Sequence, residues 1–308
     1  MKRIAFTALL LMVTSALVYA NTNKKAMRKR AQENNVVLIA IDGWGAYSVP
    51  NAHDIPNIRY FMDNGCYTLK DRSVLESSSA INWASMFMGV PTEIHGYTTW
   101  GSRSPEIPPL HVNSHGIGQT IFSVVREQLP QAETACYFEW DGIKYLVDTL
   151  AISNFYEAKG YDNDHRMLCT HASSYIKQHK PKFMAICFDQ LDHTGHGKGH
   201  DTPDYYNTLA DSDLQIGQIV EAIKEAGMWQ NTIVILTADH GGINKTHGGI
   251  SLREMEIPFI IWGKGINKGR VISEQMMQYD CAATIAEALG LERPATWRGV
   301  PAYSAFEK

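Results

Sequence analysis

Five apolar runs of strand length recur along the chain and are rich in branched and aromatic side chains. Their hydrophobicity is nearly continuous rather than alternating, which is typical of strands buried on both faces of a sheet. The pattern therefore predicts a largely parallel sheet covered on both sides. The runs are Val36–Ile41, Thr134–Trp140, Phe183–Phe188, Thr232–Thr237 and Pro258–Trp262.

Helical segments lie between these runs, and two of them carry clear boundary signals. Thr202 followed by Pro203 is typical of an N-cap and a first helical residue, and Gly227 stands where that helix should end. A last helix is predicted over Cys281–Leu289, with Asp280 as its N-cap. Strands that alternate with helices indicate an α/β layered domain.

Two stretches rich in glycine, proline and serine, Gly101–Gly118 and Gly195–Thr202, are predicted to be loops. Neither has the composition of a linker between domains. Residues 34–308 are therefore predicted to form a single domain, whose length and composition are ordinary for one sizeable core.

The first twenty residues differ in kind from the rest. Lys2 and Arg3 precede an apolar run, Ile4–Val18, and the stretch closes with a small residue at Ala20. This order predicts a signal peptide cleaved after Ala20, followed by a polar leader over 21–33. The alternative is a retained membrane anchor, but the run is short for a full span. We therefore expect a periplasmic or secreted protein without a stable membrane anchor.

The charge balance argues against one class of partner. Once Lys2 and Arg3 are removed, 26 basic residues face 32 acidic ones, so the net charge is about −6. A mildly acidic chain without a basic stripe is a poor binder of nucleic acid polymers. The oligomeric state is left open by the sequence.

The five cysteines are odd in number and show no C-x-x-C spacing. They indicate neither a disulfide framework nor a thiolate zinc site. One disulfide is possible in an oxidising compartment, but the sequence does not assign its pairing. The residues are Cys66, Cys136, Cys169, Cys187 and Cys281.

Three of the predicted strands are followed by an acidic residue. Asp42 comes directly after VVLIAI, Asp192 follows FMAICF within a few residues, and Asp239 follows TIVILT. The carboxyl ends of parallel strands converge on one edge of an α/β sheet, where ligands bind. A single aspartate there more often caps a helix or closes a turn. Three together repel one another unless cations neutralise them, so the sequence predicts a metal site.

Three histidines accompany these aspartates. His196 follows Asp192 by four positions, His240 directly follows Asp239, and His247 comes seven residues later. Each alone is more simply a loop histidine. Combined with the carboxylates they form the ligand set of zinc and its neighbours, although manganese or mixed occupancy stays open.

A serine-rich stretch supplies a candidate nucleophile. Asn82–Met88 is predicted to be a short buried helix ending at Gly89, and Ser77, Ser78 and Ser79 stand at its start. Backbone N–H groups and the helix dipole favour an anion at such a terminus. A serine hydroxyl there could attack phosphorus if a metal lowered its pKa. The alternative is that one of these serines is only an N-cap.

These segments together resemble the alkaline phosphatase superfamily and, within it, the nucleotide pyrophosphatase/phosphodiesterase-like branch. The resemblance covers nearly all of the chain after the predicted signal peptide. It implies a three-layer α/β/α sandwich with a largely parallel central sheet and an exported phosphoric ester hydrolase. The matching segments are IAIDGWG, DIPNIRYFMDNG, SAINWASMFMGVPTEIHGY, DQLDHTGHGKG, TADHGG, THGG and YDCAATIAEALGL, followed by Trp297, Arg298 and Gly299.

The resemblance implies two divalent metal ions, with zinc favoured, and assigns one of them to Asp42, Asp239 and His240. Ser79 would bridge to this ion as the nucleophile and form a covalent phosphoserine. Two cations about 4 Å apart can stabilise the attacking and the leaving oxygen of an in-line displacement.

The second ion would be held by Asp192, His196 and His247. Asn82 would donate its amide to a phosphate oxygen, together with the backbone N–H of Ala80. The implied substrate is a small phosphate ester, with nucleotides as one candidate class.

Two departures from the branch leave alternatives open. Ser79 stands where threonine is more usual, and Ile81 where proline is common, so a phosphomonoesterase on the same scaffold stays open. A phosphotransferase would need basic residues or an inserted domain that the chain lacks. Ser79–Trp83 lacks the C/S-x-P-x-R run of sulfatases. A non-catalytic, metal-stabilised binding protein is the alternative from another class.

Overall fold

The computed structural model describes residues 24–159 and 166–307, and the signal peptide predicted over residues 1–20 lies outside them. Eight strands form one mixed sheet in the order β4-β3-β5-β1-β6-β7-β2-β8. Among the described strands, only β7 runs antiparallel to its neighbours, β6 and β2, so the predicted largely parallel sheet is confirmed. The strands are β1 (Asn35–Ile41), β2 (Cys66–Arg72), β3 (Thr134–Phe138), β4 (Asn154–Glu157), β5 (Phe183–Phe188), β6 (Thr232–Thr237), β7 (Glu256–Gly263) and β8 (Arg270–Val271).

The central strand β1 shows how the sheet separates two cores. Val36, Leu38 and Ala40 pack into the core on one face. Val37 and Ile39 pack into the core on the other. Successive side chains of a strand point to opposite faces, so a continuous apolar run fills both cores. Each fully buried valine, leucine or isoleucine stabilises the fold by about 2 kcal/mol.

Helices cover both faces, which confirms the three-layer α/β/α sandwich. Helices α4, α6 and α11 contribute to one core, and α3, α7 and α9 to the other. The bounds are α1 (24–33), α2 (Ser48–Asn51), α3 (Pro56–Asn64), α4 (Ser79–Met88), α5 (Thr92–His95), α6 (Ile121–Gln128), α7 (Met167–His179), α8 (Gln190–Lys198), α9 (Pro203–Glu225), α10 (Leu252–Met255) and α11 (Asp280–Ala288).

The predicted boundary signals of α9 are confirmed and those of α11 need a correction. The Thr202 hydroxyl caps α9 by accepting the backbone N–H of Tyr205 at 3.3 Å. Asp280 is not the N-cap of α11, because it lies inside the first turn. Its carboxylate accepts the backbone N–H groups of Met277 and Val300, each at 2.8 Å. It therefore ties the chain on both sides of the helix to its N-terminus.

The predicted loop Gly195–Thr202 is partly wrong, because α8 continues through Lys198. Glycines at 195 and 197 lower helix propensity by about 1 kcal/mol each relative to alanine, which hid the helix in the sequence. The predicted loop Gly101–Gly118 is confirmed: it contains neither helix nor strand.

The described part of the polar leader is helical and packs on the domain. Arg30 pairs with Glu287 at 2.6 Å, and the Asn34 amide donates to the Ala288 carbonyl at 2.9 Å. Within residues 24–159 and 166–307, no helix combines the length and apolar character needed to cross a bilayer. All five cysteines are buried with free thiols.

Candidate metal centre

The topology brings the three predicted aspartates to one edge of the sheet. Strand β1 lies between β5 and β6 and is parallel to both. Asp42 directly follows β1, Asp239 follows β6 by two residues, and Asp192 lies in the first turn of α8 after β5. Strand pairing therefore places all three carboxylates at the carboxyl end of the sheet centre, where α/β proteins bind ligands.

Asp42, Asp239 and His240 form a first cluster, here called the buried group. The His240 Nε2 atom lies 3.4 Å from Asp42 Oδ1 and 3.3 Å from Asp239 Oδ2. None of the three residues is more than 2% exposed. The Ser79 Oγ atom lies 3.2 Å from the same Nε2 atom. The candidate nucleophile therefore stands directly at this group.

Hydrogen bonds orient the two carboxylates of the buried group. Asp239 Oδ1 accepts the backbone N–H groups of Gly43 and His240 at 3.1 and 2.8 Å. Asp42 Oδ2 accepts the indole N–H of Trp83 at 3.2 Å. The other oxygens, Asp42 Oδ1 and Asp239 Oδ2, have no hydrogen-bond partner among the described residues. Two buried carboxylate oxygens turned toward one imidazole nitrogen form a cluster that could hold a cation.

Asp192, His196 and His247 form a second cluster, the open group. Asp192 and His196 are four residues apart on α8 and share one face of the helix. The His196 Nε2 atom lies 3.2 Å from Asp192 Oδ2 and 3.1 Å from His247 Nε2. The His247 Nε2 atom lies 4.0 Å from Asp192 Oδ1. The His196 side chain is 46% exposed, whereas those of His247 and Asp192 are 10% and 9% exposed, so this group meets solvent through His196.

A backbone carbonyl orients each of the three imidazole rings. Each Nδ1 atom lies within 3.2 Å of a backbone carbonyl, which can only accept, so Nδ1 carries a proton and the neutral form of each ring would offer its Nε2 lone pair to a cation. The carbonyls belong to Gly241 for His240, Lys245 for His196 and Ser77 for His247.

The pKa values of the three aspartates reflect their burial and their closeness to one another. Burial and the neighbouring carboxylates raise the pKa of Asp42 well above its ordinary value. Burial and Asp192 raise the pKa of Asp239 to about 7. For Asp192, burial raises the pKa, but the hydrogen bond from His196 and the charges of the imidazoles outweigh it and lower the pKa overall. A bound cation would favour joint ionisation of these aspartates, which burial and mutual repulsion otherwise oppose.

The residues present therefore fit divalent cations. The donor set of carboxylate and imidazole suits zinc, and the unpartnered oxygens supply ligand atoms. Asp42, Asp239 and His240 can each bring one ligand atom within 4.8 Å of the others. Asp192, His240 and His247 can do the same, so the two groups adjoin.

The role predicted for Asn82 is wrong. Its side chain is fully buried, and its Oδ1 accepts the backbone N–H of Val74 at 2.7 Å. Its amide donates to the carbonyls of Val74, Glu76 and Ser78 at 2.9 to 3.2 Å. The amide faces the 74–78 loop because Asn82 lies one turn after Ser78 on α4. Asn82 therefore positions the loop that precedes Ser79 and has no amide hydrogen to offer a phosphate.

The backbone N–H of Ala80 is also committed elsewhere. It donates to the carbonyl of Trp100 at 3.1 Å, so the predicted phosphate contact is wrong for this group as well. The sequence could not reveal this contact because Trp100 approaches from the long loop after α5. The bond places Trp100 beside the start of α4 and next to Ser79.

A cleft of about 490 Å³ opens over both groups. The sequence patterns identify Ser79 and the candidate metal ligands as site residues, but they do not identify Glu76, Trp140 or Asp189. Asp189 directly follows β5, which is the signal that identified Asp42 after β1. The lining residues are Glu76, Ser78, Ser79, Trp100, Trp140, Asp189, Asp192, His193, His196, Thr246, His247 and Gly248.

The sandwich and the site define an α/β domain of the alkaline phosphatase superfamily with a clustered carboxylate–imidazole centre. The sequence profile of the type I phosphodiesterase / nucleotide pyrophosphatase family matches residues 36–256, and the chain belongs to this family. The matched span includes all six candidate ligands and Ser79.

Curated relatives share the chain's sequence over part of their length. Bovine bis(5'-adenosyl)-triphosphatase ENPP4 is 22% identical over 242 residues, which are 76% of this chain and 52% of that protein. Bovine arylsulfatase K is 30% identical over 100 residues, which are 31% of this chain and 18% of that protein. The chain therefore spans at most about half the length of these relatives.

Solved structures share the fold. Murine ectonucleotide pyrophosphatase/phosphodiesterase 5, in an inactive form complexed with AMP, superposes with a TM-score of 0.69 at 15% identity and covers 85% of this chain and 96% of that one. A phosphonate monoester hydrolase from Silicibacter pomeroyi gives a TM-score of 0.67 at 15% identity, covering 87% and 76%. The 2-O glycosaminoglycan sulfatase BT1596 gives 0.70 at 14% identity, covering 87% and 73%.

Proposed function

We propose that the protein is a metal-dependent hydrolase of small phosphodiesters that uses Ser79 as its nucleophile. One observation carries the proposal: the Ser79 hydroxyl lies 3.2 Å from His240, beside two buried carboxylate oxygens that have no hydrogen-bond partner in the described part of the chain. Membership of the phosphodiesterase/pyrophosphatase family supports it.

The two groups would hold two divalent cations, and zinc suits the imidazole share best. The buried group holds one cation with Asp42, Asp239 and His240, and the open group holds the other with its three residues. Bound cations would lower the pKa of an adjacent hydroxyl and offset negative charge on the reacting phosphate.

The chain's own residues supply the nucleophile and its orientation. Ser79 is the first residue of α4 and is 6% exposed, with its hydroxyl at the cleft floor. As Oγ bonds to phosphorus, the bond from phosphorus to the leaving oxygen breaks, and the leaving group departs as an alcohol after taking up a proton. Water then hydrolyses the serine phosphate ester, so one water is consumed per turnover.

The charge of the cleft favours diesters over monoesters. None of the described residues that line it is lysine or arginine, whereas Glu76 and Asp189 add carboxylates beyond the ligands. A monoester dianion meets this field with about twice the repulsion that a diester monoanion meets. The second candidate function, a phosphomonoesterase, is therefore disfavoured.

Nucleotides are a fitting substrate class. The cleft exposes the rings of Trp100 and Trp140, and Trp100 is 65% exposed. Flat aromatic surfaces of this kind contact planar leaving groups well. The murine structural neighbour is complexed with AMP, and the bovine relative is named as a bis(5'-adenosyl)-triphosphatase.

The proposal includes export. The charged, apolar and small-residue order of residues 1–20 is the basis for a cleaved signal peptide and a periplasmic or secreted location. Sequencing the N-terminus of protein recovered from the outside of expressing cells tests it. A first residue at Asn21 supports export, and an intact Met1 on membrane-bound protein contradicts it.

Parallel assays test the proposed reaction. Purified protein is given an aryl phosphate diester, the matching monoester and the matching sulfate ester, and Ser79→Ala serves as the control. We expect the diester to be cleaved fastest and the variant to be inactive. A monoester rate above the diester rate would overturn the diester assignment.

A further inference from the structure

His200 is buried beside the open group without an evident partner. Its side chain is fully inaccessible, and neither Nδ1 nor Nε2 has a hydrogen-bond partner among the described residues. A buried imidazole with two unpaired nitrogens is costly, and the low dielectric around it increases the cost. Such a group calls for a partner that the protein acquires in its working state.

The surroundings hold the His200 ring in one place. A Cβ atom at Gly195 would lie 2.4 Å from the ring, and one at Gly242 would lie 2.3 Å from it. Glycine at both positions therefore leaves just enough room for the imidazole. The ring of Tyr205 packs against it at 5.4 Å between centroids, and the His200 backbone N–H donates to the Asn244 carbonyl at 2.6 Å.

The ring lies near Asp192 Oδ1, the oxygen of Asp192 that does not contact His196 and that is also 4.0 Å from His247 Nε2. Asp192 Oδ2 lies 3.2 Å from His196 Nε2. Among the described residues, Asp192 Oδ1 has no hydrogen-bond partner, and it lies 3.9 Å from His200 Nε2. Oδ2 therefore contacts His196, whereas Oδ1 is not yet bonded, and closing its gap to His200 takes a shift of about 1 Å.

We propose that His200 is a positioning residue for Asp192. With a cation in the open group, Asp192 binds through Oδ2, and His200 donates its Nε2 hydrogen to Oδ1 and fixes the carboxylate plane. A neutral imidazole has one N–H, so this bond leaves Nδ1 only a lone pair. The inference rests on the proposed metal sites. Outer partners of this kind typically change metal affinity by 10- to 100-fold.

Metal affinity, rather than activity, tests the inference. Dissociation constants for Zn²⁺ are measured by competition with a chromophoric chelator on wild type, His200→Phe and His200→Gln. Phenylalanine keeps a flat ring without a donor, whereas the glutamine amide keeps an N–H near the position of Nε2. His95→Phe is the matched control, because His95 is equally buried and bonded to Ser85 and Tyr97.

We expect His200→Phe to weaken the binding of one of the two Zn²⁺ ions by about 10- to 100-fold. The His200→Gln variant should bind that ion with an affinity within about threefold of wild type. His95→Phe should lower stability and leave affinity unchanged. Equal losses in both His200 variants, or no loss in either, overturn the inference. If His200→Phe does not fold, His200→Ala replaces it.

The same titration separates the two proposals. A wild-type chain that binds no divalent cation tightly contradicts the metal sites themselves. A wild-type chain that binds about two, with unchanged affinity in His200→Phe, contradicts only the role of His200.

Discussion

The buried group and the open group hold similar side chains in different settings. The buried group sits on strand ends, with Asp239 held by two backbone N–H groups and Asp42 by an indole. The open group is built from a helix and a loop, and the His196 side chain is 46% exposed. The ligand side chains are thus shielded from solvent in the buried group, whereas the open group reaches solvent at His196.

The difference suggests a division of labour. Removing water strengthens the attraction between a carboxylate and a cation, so the buried group should hold its ion more tightly and exchange it more slowly. Ser79 contacts this group, which keeps the nucleophile on the side shielded from solvent. The open group faces the cleft and therefore stands where water and the leaving group come and go.

Removing the nucleophile should have the largest effect. Ser79→Ala is expected to lower kcat by about four orders of magnitude or more, because the variant cannot form the covalent ester. Metal content should stay unchanged. Ser77→Ala is the control, since the Ser77 hydroxyl donates to the Gly249 carbonyl at 2.7 Å. If Ser77→Ala were as inactive as Ser79→Ala, the assignment of Ser79 as the nucleophile would be contradicted.

Ligand removal should distinguish the two groups. Asp239→Ala and His196→Ala should each lower activity by at least about 100-fold, more than loss of an outer partner costs. With excess chelator, wild type should release one ion quickly and one slowly. His196→Ala should abolish the fast phase and Asp239→Ala the slow one. Equal release rates for both ions would remove the contrast between the groups.

Without metal, the buried group should destabilise the fold in a pH-dependent way. Burial raises the pKa of Asp239 to about 7, so the folded apoprotein retains a proton there that the unfolded chain releases near pH 4. Asp239 therefore costs nothing below about pH 4, and its cost grows as pH rises to about 7. Asp239→Asn removes the charge and keeps the Oδ1 acceptor.

The stability advantage of Asp239→Asn over wild type should grow with pH between about 4 and 7, by at most about 1.4 kcal/mol per pH unit. Urea unfolding of chelator-treated proteins measures it. In zinc-loaded protein the order reverses, and wild type is the more stable. An advantage that does not change with pH would show that Asp239 is already neutralised by protein groups.

A change at the edge of the cleft should have the smallest effect. Glu76 lines the cleft and is exposed, so its charge acts through screened solvent. Glu76→Gln should raise kcat/KM for an aryl monoester by about two- to fivefold and for the diester by less. The gain should shrink at high salt. Equal gains for both esters would contradict the charge argument for diester preference.

Much of the sheet centre could be predicted from the sequence, for a physical reason. Strands β5 and β6 match the apolar runs Phe183–Phe188 and Thr232–Thr237 because a strand buried on both faces leaves no polar positions. Strand β2, CYTLKDR, was not predicted because it lies toward the edge of the sheet and carries polar residues. Strand β8 has only two residues and depends on its pairing with β2.

The candidate site likewise has features that the sequence predicts and features that only the tertiary structure determines. The strand-end positions of Asp42 and Asp239 and the four-residue spacing of Asp192 and His196 are local, and the structure places these side chains together. The direction of the Asn82 amide is set by the 74–78 loop, and no local pattern reveals it. The packing of Gly242 against the His200 ring is equally a product of tertiary structure.

The most direct test is a metal titration of the chelator-stripped protein, followed by hydrolysis of an aryl phosphate diester and by elemental analysis. We predict that stripped protein is inactive and that activity rises with bound Zn²⁺ to a plateau near about two ions per chain. Full activity in protein that contains no divalent metal would contradict the central claim.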